Sequence, residues 1–156
     1  MDEFDHEILA IVQRDNRLSH AAIGEQVGLS PSSVRRRLAA LRESGAIESD
    51  VSILRSMGGM VTVIVMVNFR EESVERYRAF EARMMEEDAV VQCYRVAGPM
   101  DFVLIVQAPD LETYEAWGQR ELMSDPAIGR YDSHIVWSRV KFTTALPSGI
   151  ALPRSD

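Results

Sequence analysis

The first part of the chain has the apolar spacing of two short amphipathic helices. In the first helix, which runs from Asp2 towards the polar stretch RDNR, apolar side chains recur on one face: Phe4, Ile8, Ile11 and Val12. Ser19 is a candidate N-cap for the second helix, which extends to Val27. The pattern therefore predicts two helices joined by a short polar loop.

A third helix is predicted directly after the tight turn VGLS. Ser30 can cap this helix, and Pro31 suits its first position because the N–H that proline lacks has no intrahelical partner there. The helix is expected to run to about Ser44 and to stop at Gly45. At about 100° per residue it presents one apolar stripe to the core. The stripe consists of Val34, Leu38 and Leu41.

The opposite face of the third helix carries arginines and small side chains. Ser32 and Arg36 point away from the apolar stripe, and Ser33 and Arg35 flank it. Solvated helix faces usually mix charge signs and carry long side chains throughout. Here arginines, small hydroxyls and alanines would allow a backbone or a base edge to approach closely.

Two helices joined by a short glycine-containing turn are typical of a helix-turn-helix, in which the second helix lies in the major groove of DNA. Gly28 suits the turn, where a positive φ can be required. Gly24 is either a site of close helix packing, the interpretation that we favour, or a weak position costing about 1 kcal/mol against alanine. Ile47 to Leu54 can add a short strand or wing.

The second half of the chain begins with a strand and a helix. The segment VTVIVMVNF, Val61 to Phe69, is apolar at both alternating sets of positions, which predicts a strand covered on both faces. A helix is predicted from Ser73 to about Glu86. Its inward residues are expected to be Val74, Tyr77, Phe80 and Met84.

A hairpin, a helix and a last strand follow. The segments VVQCYRVAG and DFVLIVQA predict two strands joined through Gly98, Pro99 and Met100. Asp110 is a candidate cap for a helix, and the last strand spans roughly Gly129 to Phe142. One face of that helix is apolar: Leu111, Tyr114 and Trp117.

The order strand, helix, strand, strand, helix, strand predicts a ferredoxin-like βαββαβ domain. The predicted fold class is therefore α+β, with a winged helix-turn-helix at 1–55, a ferredoxin-like domain at 60–146 and a tail at 147–156 that is expected to be disordered. Helices would cover only one face of the sheet. A second copy of the chain is the simplest cover for the other face, so the pattern favours a homodimer.

The charge is unevenly distributed along the chain. The formal net charge is −7, which argues against a surface that coats nucleic acid nonspecifically. Between Arg14 and Arg42, however, six arginines and two acids give a local charge of +4. A local basic patch is therefore compatible with the acidic whole.

Composition argues against several other classes of protein. One cysteine and three histidines provide no cluster with zinc spacing, so we expect no metal and no cofactor. The acidic start MDEFDHE is unlike a signal peptide, and no run approaches the roughly 18 apolar residues of a spanning helix. We expect a soluble, cytoplasmic protein without a membrane partner.

Several spaced elements of the first 47 residues resemble the Lrp/AsnC family of bacterial transcriptional regulators. The elements are Asp5-x-x-Ile8-Leu9, Asp15-x-Arg17-x-Ser19, Val27-Gly28-Leu29-Ser30, Val34-x-x-Arg37 and Gly45-x-Ile47. Gly24 stands where the family more often has alanine. GPMDFVL and VKFTTALP resemble the GxxD loop and the C-terminal strand of the family's effector-binding and oligomerisation domain.

The resemblance and the helix pattern together indicate the residues that would contact double-stranded DNA. Arg36 and Ser32 are candidates for base edges, because arginine can bond guanine with two hydrogen bonds. Phosphate contacts are assigned to Ser19, Ser30, Ser33 and Arg35. Arg37 lies nearer the buried flank, so its head reaches either a phosphate or an acid, and both alternatives stay open.

The resemblance also implies a small-molecule effector, with an amino acid the favoured class. In the family the GxxD loop lines a pocket between subunits, so Gly98, Met100 and Asp101 become candidates. Asp101 would suit an ammonium group, and Ser133 on the last strand could add a hydroxyl. An equal alternative is that Gly98 and Asp101 only shape a hairpin turn.

Two other functions would suit parts of the sequence. Relatives that share both halves include sirohaem decarboxylases, in which histidines near the hairpin handle a tetrapyrrole, but CYRVAGPMDF contains no histidine. An effector-binding oligomer without DNA binding is disfavoured by the basic helix face. No catalytic residues are assigned, and the sequence predicts a DNA-binding regulator that forms a homodimer or assembles further, up to an octamer.

Overall fold

A computed structural model describes residues 1–54 and 58–147 of the chain. These residues form two compact units, one containing 1–54 with 141–147 and the other containing 58–140. The segment 141–147 lies with the first unit, where the Leu146 N–H donates to Gln13 Oε1 at 2.8 Å. The expected disorder beyond residue 147 concerns residues outside the described part of the chain.

Three helices form the first unit, and each begins at a capping side chain. Their bounds are α1, Glu3–Val12; α2, His20–Val27; and α3, Pro31–Glu43. Ser19 accepts a hydrogen bond from Ala22 N, and Ser30 accepts one from Ser33 N, as the sequence predicts. Asp2 begins α1 in a reciprocal capping box with Asp5.

The core of this unit is made by the apolar stripes that the sequence predicts. The stripe of α3 is buried against α1 and α2 through Ile8, Ile23, Val27, Val34, Leu38 and Leu41. Gly28 ends α2 with φ of 71°, the left-handed conformation expected of the turn. A Cβ on Gly24 would collide with the carbonyl oxygen of Leu29. Close packing therefore explains this glycine.

The wing strand expected at Ile47 to Leu54 is not formed, since residues 47–54 have no regular secondary structure. The Ile47 N–H donates to Leu41 O at 3.1 Å, which closes the end of α3, and Ile47 packs on the helical core. Within the described first unit no other strand is present to pair with this segment. A strand without a neighbouring strand leaves its backbone N–H and C=O groups unpaired, so a segment forms a strand only where a partner strand is present.

The second unit is the expected ferredoxin-like domain. An antiparallel sheet has the strand order β2-β3-β1-β4, and α4 and α5 lie between strands in the chain. The bounds are β1, Val61–Phe69; α4, Val74–Glu86; β2, Val90–Arg95; β3, Phe102–Ala108; α5, Leu111–Gly118; and β4, Ile128–Ile135. A π-helical turn, Gln119–Met123, continues α5 and was not predicted.

The two faces of the sheet differ in burial. Val63, Val65 and Val67 of β1 are fully buried in one core with side chains of α4, α5 and β3. The other face of β1 is only half buried, at Thr62, Ile64 and Met66. In the single chain, the expected cover is therefore present on one face of β1, and the cover of the other face by a second copy stays a prediction.

Three further details differ from the sequence expectations. Val74 and Leu111 were expected to face inward but are 53% and 49% exposed. Each is the first residue of its helix, where the side chain projects beyond the helix end. The last strand ends at Ile135 rather than Phe142. Val136 N donates to Thr62 O, and β1 begins at Val61, so β1 offers almost no further residues for the last strand to pair with. The segment VKFTTALP is not a strand.

Candidate functional site

The outward face of α3 presents two arginines to solvent. Arg35 and Arg36 are exposed, as is Ser32, whereas Ser33 is half buried. Neither arginine forms an ion pair or hydrogen bond with a residue in 1–54 or 58–147. Their guanidinium groups therefore remain available to an external partner, on the face that the sequence indicates.

Three serine hydroxyls lie together at the N-terminus of α3. Ser30 Oγ lies 3.1 Å from Ser32 Oγ and 2.9 Å from Ser33 Oγ, and it accepts a hydrogen bond from Ser33 N at 3.3 Å. Ser19 is in the equivalent position on α2, where its Oγ accepts from Ala22 N at 3.1 Å. Helix N-termini have free N–H groups and a positive dipole end, so both positions favour an anion.

Arg37 is bound by acids of α1. Its Nη1 donates to Asp2 Oδ1 at 2.9 Å and to Asp5 Oδ1 at 2.8 Å, and its guanidinium carbon lies 5.4 Å from the centre of the Phe4 ring. The hydrogen bond to Asp5 is the main cause that raises the pKa of Arg37 above its ordinary value. Of the two alternatives left open by the sequence, the structure shows the acid.

Two further arginines of the basic segment have acidic neighbours. Arg42 Nε lies 2.8 Å from Asp50 Oδ2, and this hydrogen bond lowers the pKa of the Asp50 carboxyl. Arg17 lies 3.7 Å from Asp15 and is largely exposed, so that contact is weak. On α3 itself, the charge available for an anionic partner is therefore that of Arg35 and Arg36.

In the second unit, the turn between β2 and β3 is held by Asp101. Its Oδ2 accepts a hydrogen bond from Phe69 N at 2.7 Å, and its Oδ1 accepts one from the Tyr77 hydroxyl at 2.5 Å. Gly98 has φ of 150°, which favours glycine. These contacts support the alternative that Gly98 and Asp101 shape the hairpin turn. The carboxylate of Asp101 still has lone pairs for a further donor.

Tyr77 is the residue of this site that the sequence analysis missed, because its spacing identifies it only as a core residue of α4. The ring is 5% exposed and Arg95 stacks on it at 4.5 Å. The hydrogen bond to Asp101 raises the pKa of Tyr77 to about 12. A buried tyrosine hydroxyl needs a partner, and that requirement is the signal that could have found the contact.

The four candidate effector residues lie on two elements. Gly98, Met100 and Asp101 share the β2–β3 turn, whereas Ser133 lies on β4, beside Val65 of β1. Ser133 Oγ is 2.5 Å from the hydroxyl of Tyr114 on α5. No hydrogen bond joins Ser133 to the turn within the described ranges.

Comparison with known families covers both units. The model of an AsnC-type helix-turn-helix domain matches residues 1–42. The model of the Lrp/AsnC ligand-binding domain matches residues 62–146. The second match spans β1 to β4 and includes both the β2–β3 turn and Ser133.

Two similar proteins cover nearly the whole chain. An HTH-type transcriptional regulator of Sinorhizobium fredii is 38% identical over 149 residues, which are 94% of this chain and 88% of that protein. The DNA-binding transcriptional activator DecR of Escherichia coli is 30% identical, over 94% of this chain and 98% of that protein.

Two solved structures of similar proteins also match nearly the whole chain. An AsnC family transcriptional regulator from Agrobacterium tumefaciens has a TM-score of 0.85 and 33% identity, covering 94% of this chain and 97% of that one. A transcriptional regulator from Neisseria meningitidis, solved in complex with L-Met, has a TM-score of 0.85 and 26% identity, over 94% and 96%.

The two units thus define a helix-turn-helix transcriptional regulator with a ligand-binding domain. The chain belongs to the Lrp/AsnC family. Its DNA-binding half is the first unit, and its ligand-binding half is the second. In the described part of the chain, no helix is both long and apolar enough to cross a bilayer.

Proposed function

We propose that the chain is a homodimeric, cytoplasmic regulator that reads an operator with α3 and responds to an amino acid or a similar small effector. The observation that carries the DNA-binding assignment is the pair of exposed, unengaged arginines on a capped helix, at the recognition position of a helix-turn-helix. Two such helices in one dimer suit successive major grooves of a roughly palindromic site.

The polar side chains of this surface have two roles in the proposal. Arg36 and Ser32 contact base edges, and Arg36 can bond the O6 and N7 of guanine. Ser19, Ser30, Ser33 and Arg35 hold phosphates, because the serines lie at helix N-termini and Arg35 lies on the flank of the helix. These contacts position α3, and the base contacts provide specificity.

The test of DNA reading uses a duplex selected by the wild-type chain from a random pool. Arg36→Ala should weaken binding to that duplex by about tenfold or more, which is the value of one bidentate base contact. Arg42→Ala is the matched control, since it removes the same charge from α3 but from a side chain paired with Asp50. Undiminished binding of Arg36→Ala would overturn the assignment.

The homodimer is supported by the half-covered face of the sheet. Ile64 and Met66 of β1 lie beside Val103 and Ile105 of β3 on this face, and the described residues bury all four only partly. A second copy would bury the patch, which is the kind of apolar surface that dimers use. Higher assembly, up to an octamer, is the extension of this proposal.

Ile105→Asp tests the dimer, because a charge placed in the patch would be buried without a partner. Sedimentation velocity should show monomers for this variant. Met85→Asp is the control, since Met85 lies on the helix side and is 85% exposed. If Ile105→Asp sediments as the wild type does, the patch is not the dimer interface.

The effector site is proposed at the β2–β3 turn together with Ser133. Asp101 offers lone pairs to an ammonium group, Gly98 and Met100 shape the turn, and Ser133 adds a hydroxyl from β4. The related Neisseria regulator that was solved with L-Met supports an amino acid as the class of effector. An effector between subunits would favour one arrangement of the dimer over another.

A thermal-shift screen of the twenty amino acids tests this site, because a ligand that binds only the native state raises the unfolding temperature. Ser133→Ala should reduce the shift caused by a hit. No shift with any amino acid would exclude that class of effector. The tetrapyrrole decarboxylase alternative is not supported, since the β2–β3 turn has no histidine and the relatives named above are transcriptional regulators.

A further inference from the structure

We propose that Arg37 is a positioning residue for DNA reading, because it neutralises Asp2 and Asp5 and thereby keeps Arg36 free of them. The inference rests on the proposed function of Arg36 as the reader of bases. It assigns to Arg37 an effect on specificity without a contact to DNA.

The first observation is that the acids of α1 serve two purposes at once. Asp2 Oδ1 accepts from Asp5 N and Asp5 Oδ2 accepts from Asp2 N, both at 3.0 Å, which begins α1. The same two carboxylates accept from Arg37 Nη1. The start of α1 is therefore tied by charge to the middle of the recognition helix.

The second observation places Arg36 and Asp5 on the wall of one cavity. A cavity of about 390 Å³ opens between α1 and α3. Arg36 and Asp5 both line this cavity, together with Met1, Arg37, Ala40, Leu41 and Ser44. Arg36 is long and flexible, so an unpaired carboxylate on this wall would be a competing partner for its guanidinium group.

The balance of charge follows from these contacts. Asp5 is only 15% exposed at its side chain, whereas Arg36 is exposed. A largely buried carboxylate without a cation is unfavourable, and Arg36 is the other cationic side chain that lines the cavity with Asp5. With Arg37 in place Asp5 is satisfied, and Arg36 is left to reach the major groove.

The experiment compares five variants on the selected duplex by fluorescence anisotropy at several salt concentrations. Arg37→Gln should weaken specific binding by about as much as Arg36→Ala. The additional change Asp5→Asn should restore most of the affinity, because asparagine keeps a capping oxygen but has no charge to capture Arg36. Asp5→Asn alone should bind as the wild type does.

The salt dependence separates positioning from direct contact. Loss of a phosphate contact lowers the slope of log affinity against log salt by about 0.9. Arg35→Ala should show this reduction, and Arg37→Gln should not. A reduced slope in Arg37→Gln without rescue by Asp5→Asn would show that Arg37 contacts phosphate. A merely structural role would predict that the double variant is as weak as Arg37→Gln or weaker.

Thermal unfolding establishes whether Arg37→Gln folds. If it does not, Arg37→Lys replaces it, since lysine keeps a positive charge but binds fewer acids. Its affinity should be intermediate and should rise when Asp5→Asn is added, and no rise would overturn the proposal. Unchanged binding of the variant at position 37, with Arg36→Ala still weak, would refute only this inference. Unchanged binding of Arg36→Ala would refute the proposed function itself.

Discussion

Tyr77→Phe removes one hydroxyl from the link between α4 and the β2–β3 turn. The hydroxyl donates to Asp101 Oδ1 from a ring that is 5% exposed, and the phenylalanine ring fills the same space. Asp101 keeps its bond from Phe69 N, so the backbone of the turn stays anchored. The substitution therefore isolates the energy of one hydrogen bond to a carboxylate.

The pKa of Tyr77 is raised from its ordinary value of 10.0 to about 12, and the hydrogen bond to Asp101 is the largest cause. The size of the energy comes from mutational series. Hydrogen bonds to charged groups contribute about 1.5–3 kcal/mol in mutational series. Tyr77→Phe should thus lower the unfolding temperature of the second unit by roughly 6–24 °C.

The assay can follow the second unit alone. Trp117 and Trp137 are the two tryptophans of the chain, and both lie within 58–140, so tryptophan fluorescence reports the unfolding of this unit. The matched control is Tyr94→Phe, because Tyr94 is 52% exposed and its hydroxyl bonds no residue within the described ranges. That control should unfold at the wild-type temperature.

The pH dependence gives the result that would refute the reasoning. A folded-state pKa above the unfolded value means that the stabilisation is complete below pH 10 and is lost as the pH rises from about 10 to about 12. The difference between the wild type and Tyr77→Phe should therefore disappear by about pH 12. Equal unfolding temperatures at pH 8, or a difference that persists unchanged at pH 12, would contradict the assignment.

Two further predictions concern the turn of the first unit and a buried carboxylate of the second. Gly28→Ala should lower the free energy of unfolding in urea by about 1–2 kcal/mol. The cause is the φ of 71°, which a residue with a Cβ rarely adopts, since no atom lies near enough to that Cβ to clash. Gly28→Asn should lower it less, and equal losses would exclude a conformational cause. Glu121→Ala should lower the free energy of unfolding by about 1–2 kcal/mol, since Glu121 pairs with Arg83 and Arg120, whose guanidinium groups keep Asp125 and Glu87 as partners. The exposed Glu112→Ala should have little effect.

Local patterns account for most of the elements that were predicted correctly. The caps at Ser19, Ser30 and Asp110 and the stripe of α3 depend on residues three or four positions apart. Such spacing is visible in the sequence, and the structure confirms it. The order of strands and helices likewise confirms the ferredoxin-like domain.

The errors arose where a neighbour distant in the chain decides the outcome. The wing expected at 47–54 needed a strand to pair with, and the last strand ended where its partner β1 runs out of residues. Val74 matched the apolar spacing of α4 but lies at its first residue, where the side chain projects past the helix end. The spacing of apolar residues along the chain does not show where a neighbouring strand ends or where a helix begins.

By itself the sequence determined the helix-turn-helix, the exposed arginines of α3 and the order of the elements in the second unit, because these features follow from residues close together in the chain. Only the tertiary structure decided that Arg37 binds Asp2 and Asp5, more than thirty residues away, and that Tyr77 binds Asp101. These bonds depend on how helices and strands pack, and packing brings together side chains that no local spacing relates.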